Sequence, residues 1–261
     1  NDAGQVAVSA APEVGQSGDG YVLFNGVKTI LPPLPGGDPN GVSVGGINRL
    51  GHVAGSSDPA SGAQHAYLYA DGTSIDLGTL PGYTSSFAFA INDAGQVVGF
   101  AGAGYPTPNR AFLWSNGVLT DLGSLKGYDG FVAGGINNNG QVLGTAYRSS
   151  DGSYIPFLWS NGVMQALPGT KDFHPSDIND LGQIVGTLTL TSGENHAALW
   201  QNGVVEDLGS HFDRPLYSAG AINNRGQIAG TVSTFNSDPL IFRLTPVSTP
   251  PLAKDVSASG P

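Results

Sequence analysis

The chain has 261 residues, with 20 acidic and 10 basic side chains, a formal net charge of -10, 40 glycines and no cysteine. This charge argues against nucleic acid as a partner, because affinity for a phosphate backbone depends on Lys and Arg. No apolar run approaches the roughly 20 residues that a membrane-spanning helix needs, so no membrane span is predicted.

The first recurring element is a phrase of the form I-N-x-x-G-Q-V-x-G. Successive Asn positions differ by 47, 44, 45, 42 and 44 residues. A period of this size indicates a repeat protein in which each copy is one supersecondary unit. The six copies are marked by Asn1, Asn48, Asn92, Asn137, Asn179 and Asn223.

A second phrase lies between these copies and combines an apolar run with Asn-Gly or Asp-Gly, as in AFLWSNGVLTDLG from Ala111. Val, Ile and aromatic residues broken by such dipeptides predict strands and tight turns. No segment has a sustained helical period, so we expect almost no helix. Further copies start at Tyr21, Ala66, Pro156 and Ala197, and a shortened copy starts at Ile241.

The unit from Ser85 to Leu125 predicts four strands: SFAFAIN, QVVGFA, RAFLW and VLTDLG. Gly95 suits the positive φ of the first turn, and Asn116-Gly117 is a strong hairpin signal. Four antiparallel strands in about 44 residues have the size of one blade of a β-propeller. We therefore predict an all-β fold, a propeller of four-stranded antiparallel blades.

Six blades fit best, because three strands at the start, four in each of four units and three at the end make 22; five and seven blades are the alternatives. Residues 1–246 are interpreted as a single repeat domain, and residues 247–261 as a Pro- and Ser-rich tail or a closing strand. The start at Asn1, inside the first phrase, indicates a removed signal peptide or a fragment. Open edges of an unclosed ring would allow self-association into dimers or filaments.

The two alternating phrases resemble the HAF-repeat family of bacterial extracellular proteins, named after a His-Ala-Phe motif. The motif position here reads His65-Ala66-Tyr67, Arg110-Ala111-Phe112, Pro156-Phe157 and His196-Ala197-Ala198. The match is degenerate in detail but covers nearly the whole chain. The resemblance implies secretion or surface display and a propeller-like body, and it implies no reaction.

The repeat also predicts where a ligand would bind. Turns between first and second strands, and between third and fourth strands, are short and nearly identical. The connections at the opposite end of each unit are long and variable, and variable loops on a rigid scaffold are the usual place for a binding site.

Aromatic side chains and histidines in these loops are the candidate ligand contacts, since aromatic faces suit the C–H faces of sugars. The alternative is that the rings seal the ends of the core. The candidates are Tyr83, Phe87, Tyr128, Phe131, Phe173, His174, His211 and Tyr217.

Loop carboxylates could also converge on Ca²⁺, although none has the dense spacing of a calcium motif and turn formation is the alternative. The candidates are Asp38, Asp129, Asp172 and Asp213. The repeated Asn residues, and Asp76, Asp121 and Asp207 of the repeated D-L-G, are interpreted as scaffold hydrogen-bonding groups. No other cofactor is predicted.

Two functions remain open. The first is a secreted or surface-displayed, non-catalytic binding or structural module whose variable-loop face recognises a glycan, a surface polymer or a protein. The second is a hydrolase or lyase acting on an extracellular polymer, with its site at the channel mouth. No nucleophile motif, paired Glu residues or phosphate loop is present, so the sequence favours binding.

Overall fold

The structure is a computed structural model that describes residues 1–10, 20–38, 41–60, 62–104, 107–211, 215–232 and 240–246. Twenty-two strands are present in these ranges, the number predicted from the repeats. In chain order they are β1 Val6–Ser9, β2 Gly20–Phe24, β3 Val27–Ile30, β4 Val42–Ile47, β5 Val53–Ser57, β6 His65–Ala70, β7 Thr73–Gly78, β8 Ser85–Ile91, β9 Val97–Gly102, β10 Arg110–Ser115, β11 Val118–Asp121, β12 Gly130–Ile136, β13 Val142–Tyr147, β14 Tyr154–Ser160, β15 Val163–Ala166, β16 Phe173–Ile178, β17 Ile184–Thr189, β18 Asn195–Gln201, β19 Val204–Asp207, β20 Leu216–Ile222, β21 Ile228–Val232 and β22 Leu240–Leu244.

These strands form six sheets in chain order, each an up-and-down meander. Sheets two to five have four strands, whereas sheet one (β1–β3) and sheet six (β20–β22) have three. Every register determined between paired strands is antiparallel, as for β8 with β9 and β9 with β10. The predicted fold class, a six-bladed β-propeller, is confirmed. The described residues contain one short 3-10 helix, Gly209–His211, and no α-helix.

The predicted hairpin turns have the expected backbone geometry. Asn116 and Gly117 have φ of 50° and 84°, which is the pair of positive φ values that a type I′ turn requires. Asn25, Asp71, Asn161 and Asn202 repeat this conformation ahead of a glycine. Gly95 has φ of 74° in the other turn, so both turn predictions are confirmed.

The chain divides into two compact units, the first made of Asn1–Tyr154 and Trp159–Met164 and the second of Ile155–Leu158 and Gln165–Pro261. In the first unit, one apolar cluster joins sheets two and three around Phe112 and Leu77, and another joins sheets one and two around Tyr67 and Leu31. In the second unit, sheets five and six share a cluster around Phe242. Each unit therefore has its own core between neighbouring sheets. The predicted role of residues 247–261 lies outside the described part of the chain.

The first strands of sheets two to six share a β-bulge just before their Ile. The register shifts at Gly45, Phe89, Gly134, Ser176 and Gly220. The second strand carries a glycine opposite the bulge, because a Cβ at Gly55, Gly99, Gly186 or Gly230 would overlap a first-strand carbonyl oxygen. The bulge in the first strand and the glycine in the second therefore occur together, because the bulged strand leaves no room for a side chain at that glycine.

Candidate functional site

The short turns of each sheet lie together at one end, which we call the turn end. In sheet two, His52 Nε2 of the first turn lies 3.4 Å from Asp71 Oδ1 of the second. In sheet five, Gln183 donates to Gln201 across 3.3 Å in the same way. The variable connections therefore lie at the opposite end of each sheet, which we call the loop end.

The repeated Asn residues organise the turn end. Asn48 Oδ1 accepts hydrogen bonds from the backbone N–H groups of Leu50 and His52, both 3.0 Å. The same two bonds recur at Asn92, Asn137, Asn179 and Asn223. The interpretation of these residues as turn-forming scaffold groups is confirmed.

The amide nitrogen of the same Asn links neighbouring sheets, a role that the sequence did not reveal. Asn48 Nδ2 donates to the backbone oxygen of Asn92 at 3.1 Å, and Asn92 Nδ2 to that of Asn137 at 3.0 Å. Equivalent bonds run from Asn1 to Asn48 and from Asn179 to Asn223. We call this set of bonds the Asn ladder. Because the ladder engages these amide groups in hydrogen bonds within the protein, the repeated Asn residues of the turn end serve the fold and not a ligand.

A hydrogen-bonded side-chain pair lies at the loop end of several sheets. Arg110 holds Asp121 through two bonds of 3.0 Å, and His65 and His196 contact Asp76 and Asp207 through Nδ1 at 2.9 to 3.0 Å. Each pair joins the start of a third strand to the end of a fourth. The D-L-G aspartates are therefore scaffold groups, as predicted, with the motif position of the second phrase as their partner.

An additional residue in β20 makes the loop end of sheet six different. A buried residue stands six positions before the repeated Asn in four first strands: Val42, Ser86, Phe131 and Phe173. In β20 the buried residue is Leu216, seven positions before Asn223, and the register shifts a second time between Leu216 and Ser218. Tyr217 is the inserted residue, and it is 43% exposed. Bulges commonly re-aim a side chain in this way.

The Tyr217 side chain is held in place by sheet five. Asn195 Nδ2 donates to the Tyr217 hydroxyl at 3.0 Å, and Asn195 Oδ1 accepts from Thr189 Oγ1 at 2.9 Å. We call Thr189, Asn195 and Tyr217 the Tyr217 shelf. All three residues belong to the second unit, and the shelf combines an exposed ring with fixed polar groups.

A buried layer supports the shelf. His196, which follows Asn195, is buried and paired with Asp207. Gly209 lies against it: a Cβ there would come within 2.6 Å of the His196 ring and 2.8 Å of the Leu216 carbonyl oxygen. The backbone next to Tyr217 is therefore packed on the hydrogen-bonded pair of His196 and Asp207.

The other aromatic candidates have different surroundings. Phe131 and Phe173 are fully buried, so they lie in the core and present no face to solvent. Phe87 stacks on Phe100, with centroids 4.9 Å apart. Tyr83 packs against the core of sheets two and three and donates to the Pro108 carbonyl oxygen at 3.3 Å.

Tyr128 belongs to a structured surface at the loop end of sheet four. The Arg148 guanidinium lies 5.5 Å from the centre of its ring. Arg148 also donates to the Gly127 carbonyl oxygen at 2.8 Å and to Asp151 at 3.0 Å. This surface is polar and internally bonded, with one ring face covered by a cation.

The histidine and carboxylate candidates are dispersed. His174 is exposed on β16, and His211 is exposed with Nε2 3.8 Å from Glu206. Asp129 accepts from the N–H and hydroxyl of Ser149, while the backbone oxygens of Asp38 and Asp172 accept turn and loop bonds. Asp213 lies outside the described residues. Within the described ranges, no three His, Asp or Glu side chains form a group able to hold a metal ion.

Asp177 is an unusual residue that sequence reasoning missed. It occupies the place of Gly46, Ala90 and Gly135 before the repeated Ile, and its two oxygens accept from the N–H groups of Ile178 and Ile222, both at 2.8 Å. Burial raises the pKa of the Asp177 carboxyl, and the two hydrogen bonds oppose this shift. Its departure from the small residues of the repeat was the available signal.

Comparisons of the sequence with known proteins do not place the chain in a family. The chain matches no protein-family profile and no curated protein. Across the described residues, no helix is long and apolar enough to cross a membrane.

Several solved propellers are similar in structure. TolB from Acinetobacter baumannii has a TM-score of 0.61 at 12% identity, over 93% of this chain and 61% of its own. The propeller domain of the Trilobed protease from Pyrococcus furiosus, described as having an open velcro topology, gives 0.63 at 11% identity, over 98% and 78%. A puromycin-hydrolyzing peptidase from Mycobacterium tuberculosis gives 0.54 at 12%, over 92% and 43%. The chain thus spans about three fifths of TolB, and at these identities the likeness establishes the propeller fold alone.

Proposed function

We propose that this protein is an exported, non-catalytic binding module of the HAF-repeat type that holds an extracellular glycan at its loop end. The observation that carries the proposal is the chemical contrast between the two ends of the sheets. At the turn end the Asn ladder uses the repeated amide groups internally. At the loop end, sheets four and six present different aromatic and polar side chains, Tyr128 beside Arg148 and Tyr217 beside Asn195, and such variation on a common scaffold is the usual arrangement of a binding surface.

The exposed aromatic and polar groups support a glycan as the ligand class. Tyr217 and Tyr128 stand beside hydrogen-bonding groups, namely Asn195 and Arg148. Sugars need an apolar surface for their C–H faces and polar neighbours for their hydroxyls. A surface polymer or a protein that presents similar groups is the alternative partner. The resemblance to HAF repeats supports secretion or display on the cell surface.

The test compares the two ends of the sheets. The chain is applied to a glycan array and to insoluble polysaccharides, beside a loop-end variant, Tyr128→Ala with Tyr217→Ala. The matched control changes two exposed turn-end residues, Leu50→Ala with Leu181→Ala. Binding by the parent and the control but not by the loop-end variant supports the proposal. Loss with the turn-end variant alone, or no binding at all, overturns it, and breakdown of a bound polymer would favour the enzymatic alternative.

A further inference from the structure

We infer that the Tyr217 shelf is a subsite for one neutral sugar residue, stacked on the Tyr217 ring and hydrogen-bonded to the polar groups beside it. This inference rests on the proposed function and deepens it, because it names the position and the chemical class of the ligand. The remaining loop-end aromatics then serve as packing or secondary contacts.

The backbone supplies the first argument. The first strands of sheets two to five keep six positions between the buried residue and the Asn, and only β20 has seven, so one residue is extruded. The extruded residue is a tyrosine. An aromatic ring with a single polar atom covers an apolar face while its hydroxyl remains wetted, which is the chemistry that a sugar ring requires.

The hydrogen bonds supply the second argument. Thr189 orients Asn195, and Asn195 orients the Tyr217 hydroxyl. Because the phenol accepts from Asn195, its own O–H proton remains for an outside acceptor. A ring held in this way loses little side-chain entropy when a ligand binds. The shelf is therefore preorganised.

Charge supplies the third argument and restricts the ligand class. Among the described residues at the loop end of sheet five, Glu206 and Asp207 are acidic, and Glu194 is acidic and exposed beside Asn195. The whole chain carries a net charge of -10. Like charges oppose anionic ligands. A neutral hexose or N-acetylhexosamine fits this shelf better than a uronic acid or a sulfated sugar.

The experiment measures affinity for neutral and anionic oligosaccharides of equal length by titration calorimetry. Tyr217→Ala is expected to weaken binding of the neutral ligand by about tenfold, from the lost stacking contact. Tyr217→Phe and Thr189→Val keep the ring and are expected to cost about two- to fourfold, from one hydrogen bond each. The matched control is Phe24→Ala, because Phe24 is 40% exposed on the first unit; it should change nothing.

Deletion of Tyr217 keeps the inference testable if a substitution has indirect effects. The deletion restores the six-position interval of the other first strands, so the protein should fold with an unchanged melting temperature and lose the neutral sugar. Binding that survives both Tyr217→Ala and the deletion overturns the subsite but leaves the module proposal standing. Stronger binding of the anionic ligand overturns the neutral class. No binding of any glycan by the parent protein overturns both.

Discussion

At the scale of single residues, one side chain does two separate tasks at the turn end. The Oδ1 atom of each repeated Asn shapes its own hairpin, and Nδ2 donates towards the next sheet where the ladder bond is formed. The Gln of the phrase receives the second amide hydrogen, as in Asn92 to Gln96 at 2.8 Å. An Asp would shape the turn, but its carboxylate would lack the donor. The identity of the residue therefore follows from the contact between sheets.

The Asn ladder leads to a stability prediction. Asn92 is buried. Asn92→Ala removes the acceptor of the Ala94 and Gln96 N–H groups and the donor to the Asn137 carbonyl oxygen. We expect a loss of about 2 to 4 kcal/mol in the free energy of unfolding, measured by urea denaturation. Asn223→Ala is the matched control, because Asn223 forms the same turn bonds but is exposed, and it should cost about 1 kcal/mol. Equal losses would contradict a special contribution from the buried ladder.

Tyr67 gives a prediction for alkaline pH. Its hydroxyl donates to the Pro32 carbonyl oxygen at 2.8 Å, and burial raises the pKa of Tyr67 from 10.0 to about 12. Between these values the unfolded chain releases a proton that the folded protein retains, so stability is fully present below pH 10 and falls as the pH rises towards 12. The loss is about 2 to 3 kcal/mol. Tyr67→Phe should be less stable at pH 8 by about 1 kcal/mol and should show a shallower decline above pH 10; an unchanged decline would refute this assignment.

At the scale of elements, the bulge in each first strand explains the invariant glycine of the second. Sheet one departs from this pattern, because Val8 stands where Gly55 and Gly99 stand in sheets two and three. A valine at this place would meet the carbonyl oxygen of a bulged first strand. The outer edge of β1 has no partner among the described strands. Any strand that pairs with this edge must therefore be regular, which restricts the predicted self-association through open edges.

The bulge glycine has a clear test. Gly99→Ala places a Cβ against the Phe87 carbonyl oxygen, and the strand pair has to separate or shift. We expect a loss of at least about 3 kcal/mol, the range of severe backbone strain and overpacking. Gly134→Ala is the matched control, because Gly134 is the bulge residue itself and a Cβ there meets nothing within 4 Å. Thermal melts of the two variants should differ widely, and similar melting temperatures would contradict the mechanism.

The sequence predicted the elements well and the special positions poorly. Strand number, turn conformation at Asn116-Gly117 and the antiparallel meander follow from local signals, namely alternation and turn residues. The bulges depend on the neighbouring strand, and the bond from Asn48 to Asn92 depends on the neighbouring repeat. Neither can be predicted from a local sequence pattern. Counting back from Asn223 places Tyr217 at the position of the buried Phe131 and Phe173, so the second register shift that exposes Tyr217 could only be found in the structure. Whether an aromatic such as Phe131 is buried or exposed required the structure.

At the scale of the whole molecule, negative charge is in excess, and in the described part of the chain three of the ten basic side chains are paired with aspartates. Arg49 lies 3.6 Å from Asp93, and Arg110 and Arg148 are paired with Asp121 and Asp151 at 3.0 Å. With 20 acidic and 10 basic residues the chain has a net charge of -10, which repels a polyanion. The net negative charge therefore disfavours the binding of anionic polymers, independently of any specific contact.

This charge distribution gives a prediction about salt. Binding to a phosphate or sulfate polymer releases counterions and weakens steeply with salt, whereas stacking and neutral hydrogen bonds do not. We expect the protein to pass through heparin and double-stranded DNA columns at about 50 mM NaCl, and its affinity for a neutral glycan to change less than about twofold up to 500 mM. A Lys-rich control protein retained by both columns checks the matrices. Retention of this chain, with elution by salt, would mean that a local cationic surface outweighs the net charge, and the ligand class would then have to be sought among anionic polymers.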